Sequence, residues 1–339
     1  MIWSGNEAIV VADWDADGCV SAAILLYLLR SKTLAYECSV EEVQLFPANS
    51  RETIWVFEEH KGCPCLVAFL DIPFTGEMRE LLKVISRRCA STKVLYVDHH
   101  PITLERLEEL KSLVSDAMVS RSEPTVKLLV SFAEKKGKRI PHKLLKYAEA
   151  VRLMELGLKP PEHLSNIVKL VASISRALKL ERNRELWEKM ALWMSNPLPI
   201  PLSKSELEVL RRVEEELKRR DKELEDAAIS LAISAEKLGC FRFVDARRKW
   251  KRRGATSLAT RLSRILKAPT ALLVRLGHLE VLVIRARNAA AKSIGEELIR
   301  EGLALDVGGH PNLAVVRLKR DYDLSRIKQI LLQACRKLL

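Results

Sequence analysis

Short apolar runs alternate with amphipathic stretches through the first third of the chain. Three of these runs end on an aspartate, at Asp13, Asp71 and Asp98. Each run has the length and aliphatic composition of a buried strand, and a helical pattern follows it. Alternating strands and helices predict a parallel sheet with right-handed crossovers. The predicted elements are strands over 7–13, 40–46, 65–71, 93–98 and 112–119, and helices over 20–30, 77–88 and from Thr103.

The pattern then changes twice along the chain. Residues 123–195 show helical periodicity only, and three prolines within 197–201 interrupt it. A long helix is predicted from Ser203 to Leu238, with Glu206 completing a capping box and Gly239 as the stop; it would span about 54 Å. The last hundred residues are mixed, with strands from Phe241, over 270–276, over 279–287 and after His310, and helices over 291–302 and at the C-terminus.

These patterns predict an α/β fold class with two domains. Residues 1–195 would form an N-terminal parallel-sheet domain with a helical extension. Residues 196–239 would form the proline break and the connector helix, and residues 240–339 a smaller mixed α/β domain.

The predicted connector helix carries a seven-residue leucine repeat. The complementary seam is less apolar, with Glu214 and Asp221 among its positions, whereas a coiled coil requires both seams apolar. A dimer zipper and a strut packed along the chain's own domains remain the alternatives, and we favour the strut. The leucines are Leu210, Leu217, Leu224, Leu231 and Leu238.

Composition restricts the class of protein. The chain has 339 residues, a net charge of +13 and a pI near 9.4, which favours a polyanionic partner. No apolar stretch approaches the ~20 residues of a membrane span, and the N-terminus lacks a signal-peptide pattern, so we expect a cytoplasmic protein without a membrane contact. Seven cysteines without framework spacing predict reduced thiols rather than disulfides, and Cys63-Pro64-Cys65 lacks the second pair of a zinc site.

Acidic residues are concentrated where the first strand ends. Asp13, Asp15 and Asp17 fall within five residues, and Gly18 permits a tight entry into the following helix. A single aspartate here would be an ordinary N-cap. Three of them, together with Asp71 beyond another strand, would repel one another unless a cation neutralises them. The sequence therefore predicts a divalent metal site at the carboxyl edge of the sheet.

Imidazole nitrogen completes this constellation. His99 and His100 follow Asp98 directly, at the end of a third strand. Imidazole suits manganese, iron, cobalt or zinc better than magnesium. A lone histidine is usually structural, but two adjacent histidines beside several acids favour catalysis.

The motifs resemble those of the DHH phosphoesterase superfamily. The triplet at 98–100 is the Asp-His-His motif, and the acidic turn at 13–18 is similar to the first motif of RecJ-type members. Asp71 stands where the second motif has its strand-end aspartate. The glycine turn Gly308-Gly309-His310 resembles that of the DHH-associated C-terminal domain. The resemblance therefore extends over both predicted domains.

The resemblance implies a phosphodiesterase with two Mn²⁺ ions, with Mg²⁺ as the alternative. Its metal ligands would be Asp13, Asp15, Asp71 and His99, with Asp71 bridging, while Asp17 is either a ligand or a support. His100 would contact the scissile phosphate or protonate the leaving oxygen, and Asp98 would orient a histidine. The family has one further acidic ligand after this motif, and Asp116, Glu149 and Glu155 remain open for that position.

The C-terminal segment would hold the substrate. Glycines at 308 and 309 let a backbone approach a phosphate closely, although an ordinary hairpin is the alternative. A basic run over 247–253 surrounds one tryptophan, which favours contact with single strands over a solvated loop. The predicted substrate-binding residues are Arg285, Arg287, Gly308, Gly309, His310 and Trp250.

Three functions follow as expectations. The first is a manganese-dependent exonuclease or oligonucleotidase that removes nucleoside monophosphates from the end of single-stranded DNA or RNA. The second keeps the chemistry for a small substrate, either a cyclic dinucleotide or a nucleotide bisphosphate. The third is a catalytically weak RecJ-like scaffold with a replication or repair protein as its partner. The sequence leaves the polarity of digestion and the oligomeric state open.

Overall fold

A computed structural model describes residues 2–3, 5–32, 40–59, 61–251, 254–286, 290–310 and 312–338. The chain divides into two compact units, residues 1–214 and residues 215–339. The boundary lies inside the connector helix, so this helix contributes to both units.

The first unit contains a five-stranded sheet in the order β3-β2-β5-β6-β7, in which every neighbouring pair is parallel. The strands β1 and β4 form a separate two-stranded pair. The strands are β1 Ile2–Trp3, β2 Glu7–Ala12, β3 Glu42–Pro47, β4 Lys61–Gly62, β5 Leu66–Leu70, β6 Lys93–Asp98 and β7 Asp116–Val119. The helices are α1 Ala16–Arg30, α2 Ser50–Glu59, α3 Gly76–Arg88, α4 Pro101–Glu105, α5 Leu107–Lys111, α6 Thr125–Lys135, α7 His142–Glu155, α8 Glu162–Glu181, α9 Arg184–Ser195 and α10 Lys204–Ala232.

Helices cover both faces of this sheet, which explains why its central strands are apolar without alternation. One face forms a core with α3, built around Phe69, Phe74 and Tyr96. On the other face lies α1, which is buried along most of its length and packs against α6, α7 and α9. The predicted parallel α/β domain with a helical extension is therefore confirmed.

The second unit has a six-stranded sheet in the order β12-β13-β11-β10-β9-β8, in which only β9 and β10 are parallel neighbours. One face packs under α12 and α13, and the other packs under α11 and the second half of α10. The elements are β8 Glu236–Leu238, β9 Phe241–Asp245, α11 Ala255–Ile265, β10 Thr270–Leu276, β11 Leu279–Arg285, α12 Ala290–Arg300, β12 Ala304–His310, β13 Leu313–Leu318 and α13 Leu324–Leu338.

The connector helix α10 is shorter than predicted. Its start is as expected, because the Ser203 backbone N–H donates to Glu206 at 2.8 Å and the Glu206 N–H donates to the Ser203 hydroxyl at 3.3 Å. Its end is at Ala232, and the segment that follows pairs with β9 as strand β8. Leu210 and Leu231 are buried within their own units, which favours the strut over a zipper.

The expectation of reduced thiols is wrong. Cys63 is bonded to Cys89 and Cys240 to Cys335, with Cα atoms 5.3 and 5.5 Å apart. The paired cysteines lie 26 and 95 residues apart in sequence, and only the tertiary fold brings them together. Among the described residues Cys19 is a free and buried thiol. In the described part of the chain, no helix is long and apolar enough to cross a membrane.

Candidate active site

Three neighbouring strands of the first sheet deliver an aspartate to the same edge. Ala12, the last residue of β2, is level with Leu70 of β5, and Leu70 is level with Val97 of β6. The next residue in each strand is Asp13, Asp71 or Asp98. The backbone continues the ladder through them, since the Asp13 N–H donates to the Leu70 carbonyl and the Asp71 N–H donates to the Val97 carbonyl. The carboxyl edge of the sheet therefore collects the three acids.

The turn after β2 adds two more carboxylates with separate structural tasks. Asp15 is the N-cap of α1 and accepts hydrogen bonds from the N–H groups of Asp17 and Gly18. Asp17 is fully buried, and its two oxygens accept the N–H groups of Thr125 and Val126, each at 2.8 Å. Asp17 thus caps α6 and holds this helix against the acidic turn.

Gly18 is required by the close approach of α1 to the end of β2. A Cβ on this residue would lie 2.3 Å from the carbonyl oxygen of Asp13 and 2.6 Å from its nitrogen. These atoms are backbone, so no side-chain rotation relieves the contact. The absence of a side chain at Gly18 therefore sets the position of Asp13 relative to α1.

Asp71 is the common member of two groups of candidate metal ligands. One group joins it to His99 and His100, and the other joins it to Asp13 and Asp15; within each group the ligand atoms lie within 4.8 Å of one another. Its backbone has φ of +61°, a left-handed conformation that non-glycine residues seldom adopt and that clusters at functional sites.

The two histidines make different contacts. His99 places Nε2 3.2 Å from Asp71 Oδ1 and 3.8 Å from Asp17 Oδ2. His100 instead places Nδ1 2.8 Å from Asp98 Oδ1. The other oxygen of Asp98 accepts a hydrogen bond from the hydroxyl of Thr103. Asp98 therefore fixes the ring of His100, and Thr103 fixes Asp98.

Burial places the carboxylates in electrostatic conflict. Loss of hydration, followed by the charge of Asp15, raises the pKa of Asp13 to about 6. Loss of hydration raises the pKa of Asp71 to about 7, although the hydrogen bond with His99 acts in the opposite direction. Burial and the charge of Asp71 raise the pKa of Asp17 well above its ordinary value.

The pKa values of the two histidines are raised as well, which favours their charged form. The hydrogen bond with Asp71 raises the pKa of His99. Burial opposes a charge on His100, but the hydrogen bond with Asp98 and the surrounding carboxylates outweigh it and raise its pKa to about 9. The site concentrates negative charge strongly enough to favour cations.

The donor set fits a divalent cation. Carboxylate oxygens from Asp13, Asp15 and Asp71 converge with the imidazole nitrogen of His99, a mixture suited to manganese or a related metal. A divalent ion would also remove the repulsion that raises the carboxylate pKa values.

The late acidic ligand that the resemblance implies stays unassigned among the described residues. Glu149 interacts with Lys127 at 3.5 Å and with Arg152 at 3.3 Å. Among the described residues, neither Glu149, Glu155 nor Asp116 belongs to either candidate ligand group.

Several residues at the site were not predicted from the sequence. Thr125 donates its hydroxyl to Asp71 Oδ1 at 3.0 Å, and Lys179 places Nζ 3.1 Å from Asp15 Oδ2. Trp14 donates its ring N–H to Glu52 at 2.7 Å and lies 5.2 Å beneath the guanidinium of Arg182. These groups come from distant segments, so sequence spacing gives no indication of them.

The predicted substrate turn is the end of a strand. Gly308 and Gly309 belong to β12 and are level with Val315 and Ala314 of β13. Gly309 has φ of +111°, and a Cβ there would lie 2.2 Å from the carbonyl oxygen of Leu313, whereas Gly308 faces open space. The glycine pair therefore leaves an uncovered backbone at this end of the sheet.

Arg285 reaches the same end of the second sheet. It ends β11 level with Leu313, and Leu313 is also level with His310. The guanidinium lies 3.5 Å from the Asn312 carbonyl oxygen. The predicted contact Arg287 lies outside the described residues, as does the side chain of His310.

The predicted stacking role of Trp250 is wrong. Its side chain is only 7% exposed and packs in the core with Leu258 and Val281, beneath α11. A base needs an open aromatic face for stacking, and this ring has none. Among the residues that the structure describes, the buried ring N–H finds no hydrogen-bond partner.

Comparisons with known proteins identify the fold. No protein-family model and no curated protein sequence matches the chain. Among solved structures, RecJ of Thermus thermophilus in complex with Mn²⁺ aligns over 98% of this chain and 52% of its own, with 17% identity and a TM-score of 0.61. The chain thus spans about half the length of that RecJ.

Two further structures agree. An exonuclease RecJ bound to manganese aligns over 98% of this chain and 90% of its own, with 17% identity and a TM-score of 0.56. The pGpG-specific phosphodiesterase PggH from Vibrio cholerae aligns over 98% and 99%, with 12% identity and a TM-score of 0.51. The chain therefore has a RecJ-like fold.

Proposed function

We propose that this protein is a divalent-metal-dependent phosphodiesterase that degrades single-stranded nucleic acid from an end and releases nucleoside monophosphates, with Mn²⁺ as its metal. The observation that carries the proposal is the convergence of Asp13, Asp15, Asp71 and His99 at one sheet edge. Buried carboxylates with raised pKa values, placed beside a histidine, are expected of a catalytic metal site rather than of a solvated turn.

Asp13, Asp15, Asp71 and His99 would hold the metal. When bound, divalent ions polarise phosphoryl oxygens and make water a better nucleophile at neutral pH. Asp17 would keep α6 against the acidic turn and so fix the hydroxyl of Thr125 beside Asp71.

His100 would act on the substrate itself. Its Nδ1 is engaged with Asp98, so Nε2 is the nitrogen that can donate a proton to a phosphate oxygen or to the leaving oxygen. The raised pKa keeps this ring protonated near neutral pH. Asp98 would act as a positioning residue, since it holds His100 in a fixed orientation.

The polymer substrate is supported by charge and by the second unit. A net charge of +13 favours a partner with many phosphates. Arg285 and the backbone at Gly308 and Gly309 lie at one end of the second sheet and would contact a nucleotide of the substrate.

A dinucleotide is the second candidate substrate. The support is the alignment with the pGpG-specific phosphodiesterase PggH, which covers 98% of this chain and 99% of its own with a TM-score of 0.51. A small substrate would need no contact beyond the glycine pair.

A single set of assays separates these functions. End-labelled 20-mers and pGpG are incubated with Mn²⁺, with Mg²⁺ and with chelator, using the natural protein, Asp71→Asn and His99→Ala. Asp226→Asn, which changes an exposed carboxylate on α10, is the control. We expect metal-dependent release of monophosphates that both active-site variants abolish and the control retains. Chelator-resistant cleavage, or full activity in Asp71→Asn, would contradict the proposal.

A further inference from the structure

A hollow of about 700 Å³ lies at one end of the second sheet. The turn between β10 and β11, at Gly277 and His278, forms one wall, and the connection from β13 to α13 forms the other. Lys319 and Arg320 lie on that connection. The function proposed above makes no use of this hollow.

The hollow and the glycine pair lie at opposite ends of the same sheet. The β10–β11 turn closes the end where Leu276 is level with Leu279, whereas Arg285 at the far end of β11 is level with Leu313 and so with the Gly309 end of β12. From Ala304 to His310, β12 extends about 20 Å at roughly 3.3 Å per residue. The two places are therefore separate within this unit.

The basic run after β9 starts beside the hollow, because its first residue contacts two residues of the lining. Arg247 donates to Glu280 at 3.2 Å and to the hydroxyl of Tyr322 at 3.0 Å, and both acceptors line the hollow. The turn that follows exposes Arg248 and Lys249. We use the name basic end for the six cations that this fold gathers: Arg247, Arg248, Lys249, Arg275, Lys319 and Arg320.

Two acids of this region, Glu280 and Asp245, are already neutralised. Glu280 accepts from Arg247, from Arg275 at 2.9 Å and from Tyr322. Asp245 is paired with Arg247 at 2.6 Å. Asp321 remains as a further acid lining the hollow.

Four of the six cations keep their charge available. Within the part of the chain that the structure describes, Arg248, Lys249, Lys319 and Arg320 make no ion pair. Elsewhere on this surface, cations such as Arg300 and Arg326 are paired with glutamates at their side. The basic end therefore presents unneutralised positive charge around a concave surface.

Apolar side chains at the rim complete a surface suited to a single strand. Leu279 is 43% exposed and Leu305 is 57% exposed, and both line the hollow. A single strand offers phosphates for the cations and base faces for apolar contact, which an acidic peptide does not combine in that alternation.

We infer that the basic end is a second binding surface for single-stranded nucleic acid, which holds the phosphates of the strand several nucleotides away from the glycine pair. A duplex strand advances about 3.4 Å per nucleotide, so only an oligonucleotide of several residues can reach both ends of the sheet. The inference rests on the proposed function for the identity of the strand, but its binding requires neither metal nor catalysis.

The test measures binding of the full-length protein to a fluorescent (dT)20 in chelator, at several salt concentrations. The variant combines Lys249→Ala and Arg320→Ala, which are exposed and form no ion pairs in the described structure. The control combines Lys135→Ala and Arg139→Ala, which remove the same charge from exposed positions of the first unit. Two lost phosphate contacts should reduce the slope of log affinity against log salt by about 1.4 and weaken binding about 25-fold at 0.1 M salt.

The control should bind within about twofold of the natural protein. The inference would be overturned if the variant and the control lost affinity equally, or if neither lost affinity. A surface that binds an acidic protein instead would leave the affinity for (dT)20 unchanged in both. Hydrolysis of pGpG by the Lys249→Ala/Arg320→Ala protein should remain at the natural rate. A natural protein that binds (dT)20 through the basic end and cleaves nothing with Mn²⁺ would disprove the proposed function and leave this inference standing.

Discussion

Replacement of Gly18 by alanine should disable the proposed metal site while the fold persists. The new Cβ would lie 2.3 Å from the Asp13 carbonyl oxygen, whereas ordinary contacts between heavy atoms begin near ~3.5 Å. Either the N-terminus of α1 or the Asp13 backbone must therefore move by about 1 Å. Such overpacking costs about 1–3 kcal/mol, partly offset by the up to ~1 kcal/mol that alanine gains over glycine inside a helix.

The catalytic effect should exceed the effect on stability. A displacement of about 1 Å at a reacting centre costs on the order of 100-fold in rate. Asp13 and Asp15 flank the displaced turn, so the affinity for Mn²⁺ should fall as well. We expect Gly18→Ala to lose about 100-fold in phosphodiesterase rate and to bind Mn²⁺ measurably more weakly by titration calorimetry, while its melting temperature falls by only a few degrees.

Gly76→Ala is the matched control. Gly76 is also in the first turn of a helix, α3, and a Cβ there would meet nothing within 4 Å. This variant should retain the natural rate and metal affinity. If Gly18→Ala kept its rate within threefold and its affinity for Mn²⁺ unchanged, the argument that this glycine positions Asp13 would be refuted.

Three further predictions concern the disulfides, His100 and the metal. Cys240→Ser removes the disulfide to Cys335, which closes a loop of 95 residues, and should lower the free energy of unfolding by about 4–5 kcal/mol on the loop-entropy model. Urea unfolding with and without reductant measures this difference. Equal free energies of unfolding for the variant and the natural protein without reductant would contradict the prediction. Thr103→Val removes the hydroxyl donor to a buried carboxylate and should lower kcat about fivefold, the equivalent of ~1 kcal/mol, with a shifted pH–rate profile; an unchanged profile would oppose the positioning role. In chelator, the folded protein keeps protons on Asp13 and Asp71, whose pKa values are about 6 and about 7, at a pH where the unfolded chain, with an ordinary aspartate pKa of 3.8, has lost them. The melting temperature should therefore fall as the pH rises from 4 to 7. Mn²⁺ should abolish that decline.

The fold was predictable where the sequence pattern is strong. The runs ending at Asp13, Asp71 and Asp98 are buried on both faces of a sheet, so they are apolar without interruption and mark three strands correctly. The helix α2 was missed because its exposed tryptophan and many charges hide the periodicity of SRETIWVFEE. The start of α2 does carry a recognisable signal, because Asn49 accepts hydrogen bonds from the N–H groups of the first turn.

The site was predictable only in the part that local order determines. Acids at strand ends share an edge whenever the strands are parallel, so the convergence of these proposed ligands could be predicted from the sequence. Thr125 lies 54 residues from Asp71, and no spacing rule relates them. Trp250 was misassigned because the cations around it indicate exposure, whereas the ring turns inward beneath α11. The disulfides were not predicted, because the pairing of cysteines depends on the tertiary fold.

The division inside α10 determines where the chain can be divided into separately expressed fragments. A fragment that stops at the proline break loses Leu210 and Val213, which are buried in the first unit. A fragment that begins after Gly239 loses Ala228 and Leu231 from the other hydrophobic centre. Expression of either half therefore calls for a cut near residue 214, within a continuous helix, and each product then retains the turns of α10 that seal its own interior.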